Sequence, residues 1–108
     1  MTDKIVVLVT CGNRGEAEAI AHGLVEARLA ACVNIVPGIT SYYWWENKLT
    51  EDQEILLLIK TSRSRYGELE KEILRLHSYG VPEVIAVPVV EGAHNYLNWI
   101  EESLRPAQ

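Results

Sequence analysis

The chain has no surplus of positive charge. Its 108 residues carry 10 Lys and Arg against 15 Asp and Glu, a formal net charge of -5. Nucleic acid and anionic membrane surfaces are held by basic faces, so neither is an expected partner. Cysteine is scarce: Cys11 and Cys32 stand alone in apolar, strand-like surroundings. They form no disulfide framework, which points to a reducing compartment. No apolar run approaches the roughly 18 residues of a membrane span. Met1–Thr10 runs directly into a strand without a cationic leader, so the expected location is cytoplasmic. Internal repeats, low-complexity tracts and linkers are absent. So are the G-x-S-x-G, H-E-x-x-H, P-loop and dinucleotide signatures, which leaves little footing for a catalytic reading. A composition 48% hydrophobic and 23% charged is ordinary for a globular chain and sets the expectation of one domain over residues 1–108.

What the chain does have is a long β-hairpin, Leu29 to Thr61. The first arm, Ala31 to Trp45, favours strand and is interrupted only by Pro37-Gly38. At about 3.3 Å per residue it would span roughly 50 Å, more than twice an ordinary strand. The second arm, Glu51 to Thr61, contains Ile55-Leu56-Leu57-Leu58-Ile59. A strand with one wet face alternates in polarity, so this unbroken run predicts cover on both faces. The tip, Glu46-Asn47-Lys48, places Asn47 where a tight turn demands a left-handed backbone.

Ile5–Val9 is another fully apolar strand. It leads into a helix opened by a capping box, Asn13 with Glu16, and buried along Ala17, Ile20, Ala21, Leu24 and Ala27. A second helix is predicted from about Ser64 to His77 and a last strand over Val84–Val90, where Pro88 marks a bulge or an edge. A final helix follows, with Tyr96, Leu97, Ile100 and Leu104 inward. The order β-α-β-β-α-β plus a terminal helix predicts an α+β, ferredoxin-like sandwich. Both main helices then cover one sheet face. The other face is also apolar, which calls for further copies of the chain without fixing their number.

Several blocks in this order resemble the CutA family of divalent-cation-tolerance proteins. They are Arg28–Gly38 (RLAACVNIVPG), Ser41-x-Tyr43-x-Trp45 with Lys48, Glu54 leading into Leu58-Ile59-Lys60-Thr61, Pro82-Glu83, and Tyr96-Leu97-x-Trp99-Ile100. The resemblance extends from about Ile5 to Leu104. It implies a compact homotrimer, similar in architecture to the PII signalling proteins, and a role in tolerance of copper and other divalent metals, with copper, Cu(II), or another divalent cation bound. It also implies metal ligands at a first-strand Cys and at one or two His closing the second helix. In this chain Val9 and Leu76 stand at two of those places, and His77 carries over. Cys11 lies two residues beyond Val9 on the same side of an extended strand. The family's usual His-Pro-Tyr is here His77-Ser78-Tyr79, and losing the proline loosens that loop. Asn47 stands where the family often has Gly.

Copper draws on imidazole and thiolate, so the candidate metal ligands are His77, Cys11 and Cys32. Each has a plainer role as well: His77 as the polar end of a helix, Cys32 as a small hydrophobe in Ala-Ala-Cys-Val, Cys11 as strand filler. A second candidate site is an intersubunit cleft of Lys60, Glu54, Glu83, Tyr43, Trp45, Tyr79 and Trp99. There Lys60, closing an apolar run, calls for Glu54, Glu83 or an anionic ligand as its partner. The acidic stretch Glu51, Asp52, Glu54 reads as the solvated side of a strand.

The expected function is a non-enzymatic, homotrimeric, divalent-metal (copper) binding protein. The alternative is a PII-like small-molecule sensor with ligand sites in intersubunit clefts. A minor alternative is an acylphosphatase-like hydrolase, with Asn13-Arg14-Gly15 cradling phosphate at a helix N-terminus and Asn34 as partner.

Overall fold

The computed structural model describes residues 1–106. Its elements are β1 (Lys4–Cys11), α1 (Arg14–Glu26), β2 (Cys32–Trp45), β3 (Lys48–Ser62), a single 3-10 turn (Arg63–Arg65), α2 (Tyr66–Leu76), β4 (Val84–Pro88) and α3 (His94–Ser103). The strands form one four-stranded sheet in the order β2-β3-β1-β4, every neighbouring pair antiparallel. This is the ferredoxin-like arrangement expected from the element order. Several boundaries differ. Residues 63–65 wind as a tighter turn, so α2 starts at Tyr66, and it stops at Leu76, leaving His77 extended as its cap. The last strand ends at Pro88 rather than Val90. Pro88 lies in an edge strand, where a residue without an N–H is tolerated.

The hairpin dominates the shape. β2 and β3 pair from Cys32↔Lys60 to Trp45↔Lys48, interrupted once between Val36 and Ile39. Pro37 and Gly38 fall in that break, and Gly38 has φ 76°, a value that glycine adopts without a Cβ clash. The reversal is a two-residue turn with Glu46 at φ 49° and Asn47 at φ 63°. Positive φ at both central positions matches the right-handed twist of the arms. β1 pairs with β3 only as far as Cys11↔Ile55, so beyond that point the hairpin runs on as a two-stranded arm. The molecule measures 47 × 28 × 23 Å.

Strand parity sorts the faces. Ile5, Val7, Val9 and Cys11 with Leu57, Ile59 and Thr61 lie under α1 and α2, packed on Ala17, Ile20, Leu24, Leu69 and Ile73. Val7, Val9, Leu57 and Ile59 are fully buried. At about 25 cal/mol per Å2 of apolar surface, each such side chain stabilises the fold by roughly 1.5–3 kcal/mol. The opposite face presents Val6, Leu8, Leu56 and Leu58 half-buried, with Ile85 and Val87 exposed. α3 forms a second, smaller cluster through Ile100, Leu104 and Ala31, and is tied down by Lys4 Nζ on Glu101 at 2.7 Å and Arg65 on the Leu104 carbonyl at 2.7 Å.

Candidate functional site

The functional geometry gathers where β1 ends. Asn13 Oδ1 accepts from the Glu16 N–H at 2.8 Å, the first half of the expected capping box. The second half is diverted. The Glu16 carboxylate instead accepts from the Ser78 N–H, and from Ser78 Oγ at 3.1 Å, binding the start of α1 to the loop after α2. Ser78 is thus anchored here through a backbone N–H that a proline would lack.

His77 is buried at the same junction. Its Nε2 lies 2.8 Å from the Thr10 carbonyl oxygen, and its Nδ1 accepts from the Tyr79 N–H at 3.2 Å. These bonds require Nε2 to donate and Nδ1 to present its lone pair. Both ring nitrogens are therefore occupied, with Glu16 Oε1 a further 3.8 Å from Nδ1. Cys11 is fully buried under the helices. Burial, reinforced by the charges of Glu16 and Glu54, pushes its thiol up to about 11, so it stays protonated at neutral pH. Cys32 lies on the other sheet face, opposite Lys60, half-buried with Asn34 Oδ1 4.0 Å away. Along β3, the partners of Cys11 and Cys32 are Ile55 and Lys60, about 17 Å apart at strand spacing. The structure thus sets Cys32 apart from His77 and Cys11, and among the described residues no three His, Cys, Asp or Glu side chains gather to hold an ion. A preformed copper site within one chain does not fit these residues.

A cleft of about 600 Å3 opens beside this junction, between the outer hairpin and the 79–83 loop. Its lining includes Thr10, Tyr43, Trp45, Asp52, Glu54, Tyr79 and Glu83. Five of the residues expected at a cleft thus come together on one chain. Lys60 and Trp99 do not join them. Lys60 donates to Asn34 Oδ1 on the open sheet face, so a neutral amide stands where a carboxylate was expected. Trp99 stacks on Tyr96 in α3, ring centroids 5.6 Å apart. Asp52 is the residue the sequence reading misplaced. It shares β3 parity with Glu54, and period two would have put both on one face, with Glu51 on the other.

Two tyrosine–carboxylate pairs furnish the cleft. Tyr79 Oη donates to Glu54 Oε2 at 2.9 Å, and Tyr43 Oη donates to Asp52. Glu54 is only 7% exposed. The bond to Asp52 raises the Tyr43 hydroxyl to about 12. Burial, then the bond to Glu54, pushes Tyr79 up strongly. Glu83 is raised by burial and by the neighbouring Glu54 charge. Tyr79 crosses Gly12 so closely that a Cβ there would meet its Oη at 2.8 Å. The phosphate-cradle alternative finds no such convergence: Arg14 Nε is turned to Glu18 Oε2 at 3.3 Å, and Asn34 is engaged by Lys60.

A four-stranded ferredoxin-like sheet, an overlong hairpin and an acidic, aromatic cleft at its root define the class. Residues 5–103 match the family described as CutA1 divalent ion tolerance protein, and the chain belongs to that family. It is 50% identical over 98 residues to the divalent-cation tolerance protein CutA of Thermus thermophilus, covering 91% of this chain and 95% of that one. The solved Thermus structure superposes with a TM-score of 0.90, covering 93% of this chain and 97% of that one. CutA from Xylella fastidiosa gives 0.94 at 40% identity, covering 96% and 100%. A chloroplastic CutA of Arabidopsis thaliana is 48% identical over 101 residues, which span 94% of this chain and 56% of that longer protein. No helix among the described residues is long and apolar enough to cross a membrane.

Proposed function

We propose that this chain serves divalent-ion tolerance as a non-enzymatic, cytoplasmic homotrimer of single-domain subunits, with copper as its metal. The observation that carries the assembly is the sheet face opposite the helices, where Val6, Leu8, Leu56, Leu58, Ile85 and Val87 form a contiguous apolar grid. Such a face is an interface in most soluble proteins. Family membership supports the metal. Of the three proposed ligands, Cys32 is the one an ion reaches without displacing a strong internal bond, and it lies on the face that assembly brings together. His77 and Cys11 would join only after the Thr10 contact opens. Native mass spectrometry with Cu(II) tests both parts. Three chains holding copper saturably, and losing it in Cys32→Ser, is the expected result. A monomer would overturn the assembly, and a trimer without saturable copper would overturn the metal.

A second reading, a small-molecule sensor related in design to the PII proteins, is favoured by the cleft itself. Its volume of about 600 Å3 falls in the range of small-molecule sites.

A further inference from the structure

We propose that the cleft between the outer hairpin and the 79–83 loop binds a small organic cation through an alkylammonium or guanidinium group. The proposal rests on the sensor reading and reverses the charge of the ligand expected from Lys60. Three carboxylates line the cleft, Asp52, Glu54 and Glu83, and no Lys, Arg or His does. None of the three belongs to an ion pair among the described residues. Glu54 is nine-tenths buried with a tyrosine hydroxyl as its partner and no countercharge, an arrangement that favours an incoming cation.

The walls narrow the class further. Tyr43, Trp45 and Tyr79 line the same space from one face of the hairpin and the 79–83 loop. Aromatic faces attract organic cations and supply no lone pairs to a metal ion. The hydroxyls of Tyr43 and Tyr79 already donate to Asp52 and Glu54, which leaves their oxygens free to accept N–H groups. A bare divalent ion lacks the donor set it needs, since among the described residues no three ligating side chains converge. An anion meets like charge. A neutral solute leaves the buried carboxylate uncompensated. An ammonium or guanidinium satisfies carboxylates, phenol oxygens and rings together.

The test follows the Trp45 indole N–H in 1H–15N spectra of the assembled protein during titration. Butylammonium is the probe, 1-butanol its neutral analogue, butyrate its anionic one, and Ca2+ the bare divalent ion. Butylammonium is expected to shift Trp45 saturably while the other three do not. Glu83→Gln, at an exposed loop position, and Glu54→Gln, which keeps an acceptor for Tyr79, should each weaken binding about tenfold. Equal shifts from butylammonium and 1-butanol would overturn the proposal in favour of a merely apolar cleft. Binding of butyrate alone would overturn it and leave the sensor reading standing. Binding of Ca2+ alone would overturn it and make the cleft a metal site. Silence from all four would overturn both the proposal and the sensor reading. Undiminished binding in both carboxylate variants would overturn the assignment of the site.

Discussion

Cys11 illustrates how one side chain can belong to the fold more than to chemistry. Its thiol is held up at about 11, against an ordinary 9.0, by burial first and by Glu16 and Glu54 next. The folded state therefore holds this proton more tightly than the unfolded chain does. The stability linked to it is intact below about pH 9 and is lost as pH rises toward 11. Urea titrations across that window should show stability falling in the parent, and Cys11→Ala should flatten the lower part of the fall. Tyr43 and Tyr79, also raised, act toward the upper end. At this scale the sequence was readable in residue type and less so in position. Tyr43, Trp45, Glu54, Tyr79 and Glu83 are picked out by their motif blocks and do meet. Lys60 and Trp99 come from equally good blocks and do not: Lys60 shares the parity of Glu54 but lies six residues further along β3, and Trp99 is held in α3 against Tyr96. No sequence signal shows Glu16 turning from its own helix cap to Ser78, since that contact joins positions 62 residues apart.

The hairpin is the element whose sequence and structure agree most closely. Continuous apolar strands, the Pro37-Gly38 interruption and the Asn47 turn are each local signals, and local physics suffices to place them. The start of α2 was less legible. The apolar stripe of Tyr66, Leu69 and Ile73 is plain, but no side chain caps the helix, and Arg63–Arg65 wind into a tighter turn first. The turn offers a direct test. Asn47 at φ 63° tolerates Gly, whereas a β-branched residue there is strained by about 1–2 kcal/mol. Asn47→Gly should leave the denaturation midpoint within error or raise it slightly. Asn47→Val should lower stability by about 1 kcal/mol or more, measured by the same denaturant titration.

For the whole molecule, the two faces of the sheet set the expected behaviour. Leu58 sits half-buried at the centre of the open face, paired with Leu8 and Asn34 across the sheet. In the proposed trimer, Leu58→Glu should shift light-scattering mass toward the monomer while far-ultraviolet dichroism stays close to the parent's, because the helix-side core is untouched. An unchanged mass would place the interface elsewhere. The arm beyond Ile55 has a further consequence. There each strand has only the other for a neighbour, and the outward amides of Ile39–Trp45 face no partner within the chain. In a lone subunit those amides would exchange with deuterated solvent almost as freely as a loop's. Wherever a neighbouring copy lies along the arm, its exchange slows, so the hairpin carries in its own backbone a residue-by-residue clock of how long each copy stays beside it.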